Sequence, residues 1–453
     1  MTQASKETKI YGYRWIVLLA FGLVFMMSQL TWLAFSLIPN EIAPVFNLSD
    51  TSSIIFLTAS QPLVFIILSI PIGMLADRKG LMVVAGTGSV IVTIFAALRI
   101  FLIDDFMMIF ICQIGLSVGA VLIQDCITYL SAHWFPRAER TLATGVSTVF
   151  QLLGMLLGST MTLLLWTVPF YGQAGFAAAL AGGSVRSNVV SILTIQTILS
   201  GVFMVVFFLA ARDKPKLPPE IEEITTKKPS IMRMLKDRSP WIISYGFFAG
   251  FAVVIGLTGI LEPLLLSLGI TEIPGFWNPV VITQTLILAF GIVGAFVISA
   301  ISDKAQRRKP FLILAAVIGA ITTLLLGISP FSVFTYVIAA LLGFFLISVM
   351  PVALTTTEEL KSVGPQLSGA SAGLIFEFAN LGGFLGLIIL EYVLKDPTAV
   401  QPYFYSILFL FVATLIAGAL FLLVPETGRR EKAKKSIIPS PLFFSLLLSQ
   451  FYP

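Results

Sequence analysis

Long apolar runs alternate with short polar breaks along this chain, and the runs share one length. A helix crosses a bilayer with about 20 apolar residues. By that rule the pattern predicts twelve spans, at roughly 14–38, 51–76, 81–101, 107–132, 141–168, 189–211, 240–269, 279–301, 310–328, 332–356, 367–392 and 402–424. The longest internal polar stretch, Arg212 to Ser239, contains Pro215, Pro218 and Pro219 and divides the spans six and six. At its end, Ile231, Met234 and Leu235 fall on one side of a short helical pattern and Arg233 and Lys236 on the other. That pattern fits a helix at the membrane surface or a solvated linker.

The two sets of six read as copies. Gly73-Met74-Leu75-Ala76-Asp77-Arg78-Lys79-Gly80 fills the break between the second and third spans. Ser302-Asp303-Lys304-Ala305-Gln306-Arg307-Arg308-Lys309 fills the corresponding break between the eighth and ninth. Asp77 and Asp303 are 226 residues apart, and so are Trp15 and Trp241. The Gly-x-x-x-Gly pairs Gly154/Gly158 and Gly382/Gly386 are offset by 228. A chain of 453 residues repeating at half its length predicts a duplicated six-helix unit. The expected fold is an all-α polytopic membrane protein of twelve transmembrane helices in two six-helix pseudo-repeats. Its expected parts are a bundle over 1–211, a linker over 212–239, a bundle over 240–424 and a tail over 425–453.

Composition agrees with the pattern. Charged residues make up 11% of the chain, against about 25% in soluble domains, and the mean hydropathy is +0.98. If both termini are cytoplasmic, 25 of the 28 Lys and Arg fall on that side, leaving Arg99, Arg186 and Lys395 near the other. The positive-inside rule therefore predicts that orientation. Bases scattered over separate short loops form no continuous patch, so the net charge of +5 does not indicate nucleic acid. Cys112 and Cys126 lie too far apart on one predicted helix to bridge, and one histidine with two cysteines offers no metal-site spacing. The first span follows Lys6, Lys9 and Arg14 but lacks a small-residue cleavage site, so it is expected to be retained. No membrane-face loop gathers His, Cys or paired acids, which speaks against an enzyme and leaves no cofactor to expect.

The chain resembles the major facilitator superfamily of secondary transporters. The segment Gly73 to Gly80 is similar to that superfamily's loop between helices 2 and 3. Trp134-Phe135-Pro136-Arg137-Ala138-Glu139-Arg140 is similar to its segment between helices 4 and 5. The paired glycines of the fifth and eleventh spans resemble its packing motif, and Pro425-Glu426-Thr427-Gly428 its exit segment after helix 12. The opening Tyr13-Arg14-Trp15-Ile16-Val17-Leu18, with Trp32 beyond it, is loosely similar to the branch that moves haem and choline. Many proton-coupled members begin helix 4 with an arginine; this chain has Gln113 there. The resemblance implies an acidic latch, with Asp77 facing the positive end of the eleventh helix near Gly364 and Pro365. Gly73, Arg78, Lys79, Gly80, Glu139, Arg140 and Asp303 would complete the latch.

Charges inside the spans bear on the chemistry. Asp125, Glu262 and Glu377 fall within the fourth, seventh and eleventh spans, where a charge is costly and marks a pathway or relay. Pro263 follows Glu262 and can break its helix. Arg99 stands at the outer end of the third span, so no base is expected at comparable depth. A base-free hollow suits a cation or a neutral molecule, with protons as the driving ion taken up by buried carboxylates. Gln29, Trp32, Gln124, Tyr129, Gln151, Tyr245, Gln284 and Asn380 are candidates for the cavity wall, Trp32 because an aromatic face can hold a cation. The expectation is a monomeric, alternating-access transporter of a small cationic or neutral solute in the plasma membrane. Its alternatives are an uncoupled facilitator and a transport-inactive receptor or scaffold of the same fold.

Overall fold

The structure, a computed structural model, describes residues 8–35, 42–46, 48, 52–167, 184–219, 230–270, 279–390, 396 and 401–428. Glu41, Asn47, Glu391, Lys395 and the tail beyond 428 lie outside them. Among the described residues, twelve helices are long and apolar enough to cross a membrane, one for each predicted span. The first half holds α1 (Arg14–Trp32), α2 (Ser52–Lys79), α3 (Leu81–Phe101), α4 (Phe106–Gln124), α5 (Ile127–Trp134), α6 (Arg140–Thr167) and α7 (Ser184–Ala210). The second holds α8 (Ile231–Lys236), α9 (Arg238–Phe251), α10 (Leu257–Ser267), α11 (Pro279–Ala305), α12 (Lys309–Ile328), α13 (Val333–Glu358), α14 (Ser368–Ile388) and α15 (Phe404–Phe421). Helices are the form such runs must take in lipid, where every backbone polar group has to be satisfied within its own segment. Large apolar side chains remain on the outside, Ile67, Leu209 and Phe101 among them. In water such a surface would be unstable; in lipid it is the solvated face.

Four local features depart from the expected spans. The fourth span is split: α4 ends at Gln124 and α5 begins at Ile127. At the break the Cys126 N–H reaches back only three residues, to the Ile123 carbonyl at 3.1 Å, so the helix tightens around Asp125. The seventh span does not break at Pro263, because α10 runs straight through it. It widens earlier instead, into a π-helical turn at Ala252–Gly256. In the first span α1 ends at Trp32 and a turn follows over residues 33–35, while the expected continuation to residue 38 lies outside the described residues. The pattern Ile231 to Lys236 does form a short helix, α8, but its apolar side meets protein. Met234 is buried and packs with Leu360, Val363, Ala370 and Leu374, flanked by Ile231 and Leu235.

The halves meet along two pseudo-equivalent seams, α2 against α14 and α6 against α11. Close approach there depends on residues without side chains. A Cβ on Gly73 would collide with the Gly369 carbonyl oxygen, and one on Gly369 would meet the Gly73 carbonyl. The paired glycines serve a different contact, inside each half. Gly154 and Gly158 lie against the Met26 and Leu30 backbone of α1, and Gly382 lies against Phe248 of α9. Gly80 makes the sharp turn from α2 to α3 at φ 85°, a left-handed conformation that glycine adopts without strain. Gly73→Ala should force the α2–α14 seam apart, weakening closure by roughly 1–3 kcal/mol. The check is the alkylation rate of Thr128→Cys in a cysteine-free background, expected to rise about tenfold; an unchanged rate would show that the seam yields without cost.

Candidate functional site

Two kinds of site stand out: a set of bolts at one end of the seams and a cavity between the halves. The bolts are reciprocal. Asp77, at the last turn of α2, accepts hydrogen bonds from the Gly369 and Ala370 N–H groups, both at 2.8 Å. Those amides belong to the first turn of α14, where a helix leaves its donors unpaired and its dipole is positive. Asp303, 226 residues on, accepts from the Leu142 N–H at 2.6 Å in the first turn of α6. Each half therefore caps a helix of the other. Gly364 and Pro365, singled out in the sequence, fall just before α14, and the contact is made a few residues later.

The remaining latch candidates separate. Arg78 and Lys79 are exposed at the end of α2. Glu139 pairs with Arg14 at 3.0 Å, inside its own half. Arg140 is buried and donates to the Phe135 and Ala132 carbonyls at 3.2 and 3.1 Å, tying α6 to the end of α5. Residues not anticipated from sequence do cross the seam. Ser131 donates to the Glu358 carboxylate at 2.8 Å, and Thr128 to the Ser368 carbonyl at 2.8 Å. Arg308 is 2.7 Å from Asp303 and 3.1 Å from Glu359, and donates to the Arg137 carbonyl of the opposite half at 3.1 Å. Burial would lower the Arg308 pKa, but Glu359 and then Asp303 outweigh it and hold the guanidinium above its ordinary value. Thr427 donates to Glu359 at 2.9 Å and Glu426 accepts from the Arg308 N–H at 2.7 Å, so the Pro425 to Gly428 segment braces the same cluster. The adjacent acids closing an apolar span, Glu358 and Glu359, were the available signal.

Above the bolts lies a cavity of about 80 Å³ that both halves line. Gln29 and Trp32 come from α1, Gln61 and Phe65 from α2, Gln124 from α4, and Gln151 and Met155 from α6. The second half supplies Phe247, Phe251, Val254 and Ile255 around the π turn, with Met350 of α13 and Asn380 of α14. Gln151 donates to Gln124 at 3.3 Å, and the Asn380 amide donates to its own helix at Phe376. Trp32 is fixed by its indole N–H, which donates to the Thr58 carbonyl at 2.9 Å. Among the described residues, no charged side chain lines the cavity.

The structure thus brings together Gln29, Trp32, Gln124, Gln151 and Asn380, and adds Gln61, an amide in an apolar span that carried the same signal. Tyr245 lies apart, its ring beside Ala249, Ala413 and Ala417 of the α9–α15 contact. Tyr129 stacks on His133 at 4.0 Å, near the bolts. Gln284 borders a smaller adjoining pocket. Asp125 is fully buried at the α4–α5 break, within electrostatic reach of Glu377 across the seam, and neither is a lining residue. Neither Asp125 oxygen has a hydrogen-bond partner. The Glu262 side chain lies outside the described features. Arg99 stands in the last turn of α3, the outer end at which the sequence set it, and is completely buried there; it too is absent from the cavity lining.

Paired bundles, reciprocal bolts and a shared cavity define a secondary transporter. The family model of the Major Facilitator Superfamily matches residues 17–387, and the chain belongs to that superfamily. It is an integral membrane protein that moves a small-molecule solute, and not an enzyme. A choline/ethanolamine transporter of Danio rerio is 23% identical, over 92% of this chain and 85% of that protein. The choline/ethanolamine transporter FLVCR2 of Homo sapiens is 24% identical, over 96% and 81%. Among solved structures, the fucose:proton symporter of E. coli superimposes with a TM-score of 0.68 at 17% identity, covering 91% of this chain and 99% of that one.

Proposed function

We propose that this transporter carries a small organic cation or neutral polar molecule by alternating access, coupled to protons, in the plasma membrane with both termini in the cytosol. The observation that carries the reading is the cavity lining: one tryptophan, several phenylalanines, four glutamines, an asparagine and no charge. A buried anion would need a cation to offset its desolvation; an ammonium needs only aromatic faces and amide oxygens. Choline and ethanolamine are such molecules, and they are what the two similar transporters are named for. The orientation rests on the bases: counted from the order of the spans in the sequence, 25 of 28 belong to the side of the Asp77 and Asp303 loops. In this arrangement the bolts seal the cytosolic end and opening requires Asp77 and Asp303 to release their helices.

Coupling is assigned to Asp125 and Glu377, acids from opposite halves close enough to feel each other's charge. A proton shared at that seam would link its occupancy to the movement of the halves. The second reading is an uncoupled facilitator, favoured by the position of both acids outside the cavity wall. The test is uptake of radiolabelled choline and ethanolamine into proteoliposomes, with and without an imposed pH gradient. Saturable uptake should appear, and Trp32→Ala should raise KM about tenfold with little change in Vmax, the scale of a desolvated cation–π contact. Absence of saturable uptake of either amine by the unaltered protein overturns the amine reading.

A further inference from the structure

Arg99 is one of the largest completely buried side chains in the molecule, and no carboxylate pairs with it among the described residues. Its surroundings are carbonyls, an amide and a ring. Its Nη1 donates to the Thr31 carbonyl at 3.0 Å and to Gln113 Oε1 at 3.4 Å, and its guanidinium stands 5.8 Å from the Phe35 ring. Gln113 in turn donates from Nε2 to the Trp32 carbonyl at 3.0 Å. Thr31 and Trp32 are the last two residues of α1, whose final carbonyls have no partner within the helix and carry the negative end of its dipole. The buried cation thus gives one nitrogen, Nη1, to a helix end and a neutral amide, while its Nε and Nη2 have no hydrogen-bond partner.

The local sequence explains why such a grip is needed. Past Trp32 the chain continues Leu33-Ala34-Phe35, without the glycine, asparagine or proline that ordinarily ends a helix. Helical propensity would carry α1 onward, yet it stops at Trp32. Donors from α3 and α4 take the carbonyls at the point where it stops. On its other side Trp32 is tied to α2 through Thr58, and its ring faces the cavity.

We propose that Arg99 and Gln113 are positioning residues for solute binding: together they end α1 at Trp32 and hold its indole in the cavity wall. This rests on the reading of the cavity as the solute site, so the test has one arm that needs no transport. Trp32-specific fluorescence, the difference between each protein and its Trp32→Phe counterpart, is followed together with its quenching by acrylamide. Arg99→Met and Gln113→Glu should both shift that emission to the red and make it more accessible to acrylamide. The Gln113→Glu variant is the more telling, because it gives Arg99 a carboxylate partner while removing the donor to the Trp32 carbonyl. It also carries the test alone where Arg99→Met fails to fold.

In the transport arm, KM for radiolabelled choline should rise roughly tenfold in both variants with Vmax within about twofold, the split expected when binding alone is disturbed. Arg99→Lys, whose ammonium can still donate to Thr31, should restore most of the affinity. Unchanged Trp32 emission and quenching in folded Gln113→Glu protein overturns the clamp, whatever the uptake. Failure of the unaltered protein to take up both choline and ethanolamine overturns the solute reading instead and leaves the fluorescence result to decide the clamp.

Discussion

Asp77→Asn is expected to leave the protein folded but stalled, with solute exchange reduced roughly 30-fold. The carboxylate takes two backbone N–H bonds from α14, both at 2.8 Å. An amide in its place keeps one acceptor, loses the other and loses the charge that faces the helix dipole. Hydrogen bonds to charged groups contribute about 1.5–3 kcal/mol each, so the closed state should lose about 2 kcal/mol, or roughly 30-fold in population. Asp303→Asn should act in the same direction, with an added cost because Arg308 loses one of its two acidic partners. The measurement is alkylation of a cysteine replacing Gln124, in a cysteine-free background, by a charged reagent applied from the bolted side. Faster labelling in both variants is expected; labelling as slow as in the parent would mean that other contacts keep the seam shut.

Asp125→Asn should abolish solute accumulation driven by a pH gradient while leaving exchange of labelled for unlabelled solute intact. The carboxyl is buried with neither oxygen hydrogen-bonded, a costly placement of the kind that marks a pathway or relay within a membrane. Glu377→Gln should show a weaker form of the same loss, since Glu377 is only half-buried. The accumulation ratio is expected to fall at least about tenfold for Asp125→Asn, the scale of one uncompensated buried charge. Accumulation that persists in both variants would turn the reading toward the uncoupled facilitator.

The repeat was legible because it is a matter of spacing. Asp77 and Asp303, 226 residues apart, appear in the structure as two copies of one contact made in opposite directions across the seam. Depth in the membrane was legible as well, since position within an apolar run measures it. What the runs could not supply was the side of the helix. Every face of a span is apolar, whether it meets lipid or protein, so no period distinguishes them. Asp125 and Glu377 were read as lying within their spans and lie off the cavity wall, while Gln61, also within a span, lies on it. Arg99 illustrates the same gap: its place near the end of a run was legible, but not that its side of the helix faces α1. Glu358 and Glu359 lay in plain sight, but their partners Ser131 and Arg308 are distant in the chain, and only packing unites them.

The crossed capping of Asp77 and Asp303 has a consequence for assembly. Neither half owns a complete fastening: each contributes an acid, of which Asp303 is also paired with Arg308 at home, and a helix end that the other half's acid caps. Made alone, each six-helix unit would present a helix end without its acid, and the first would leave Asp77 without its two donors, at the membrane surface. Expressed as two separate chains, the units should find each other and regain transport without the 212–239 tether.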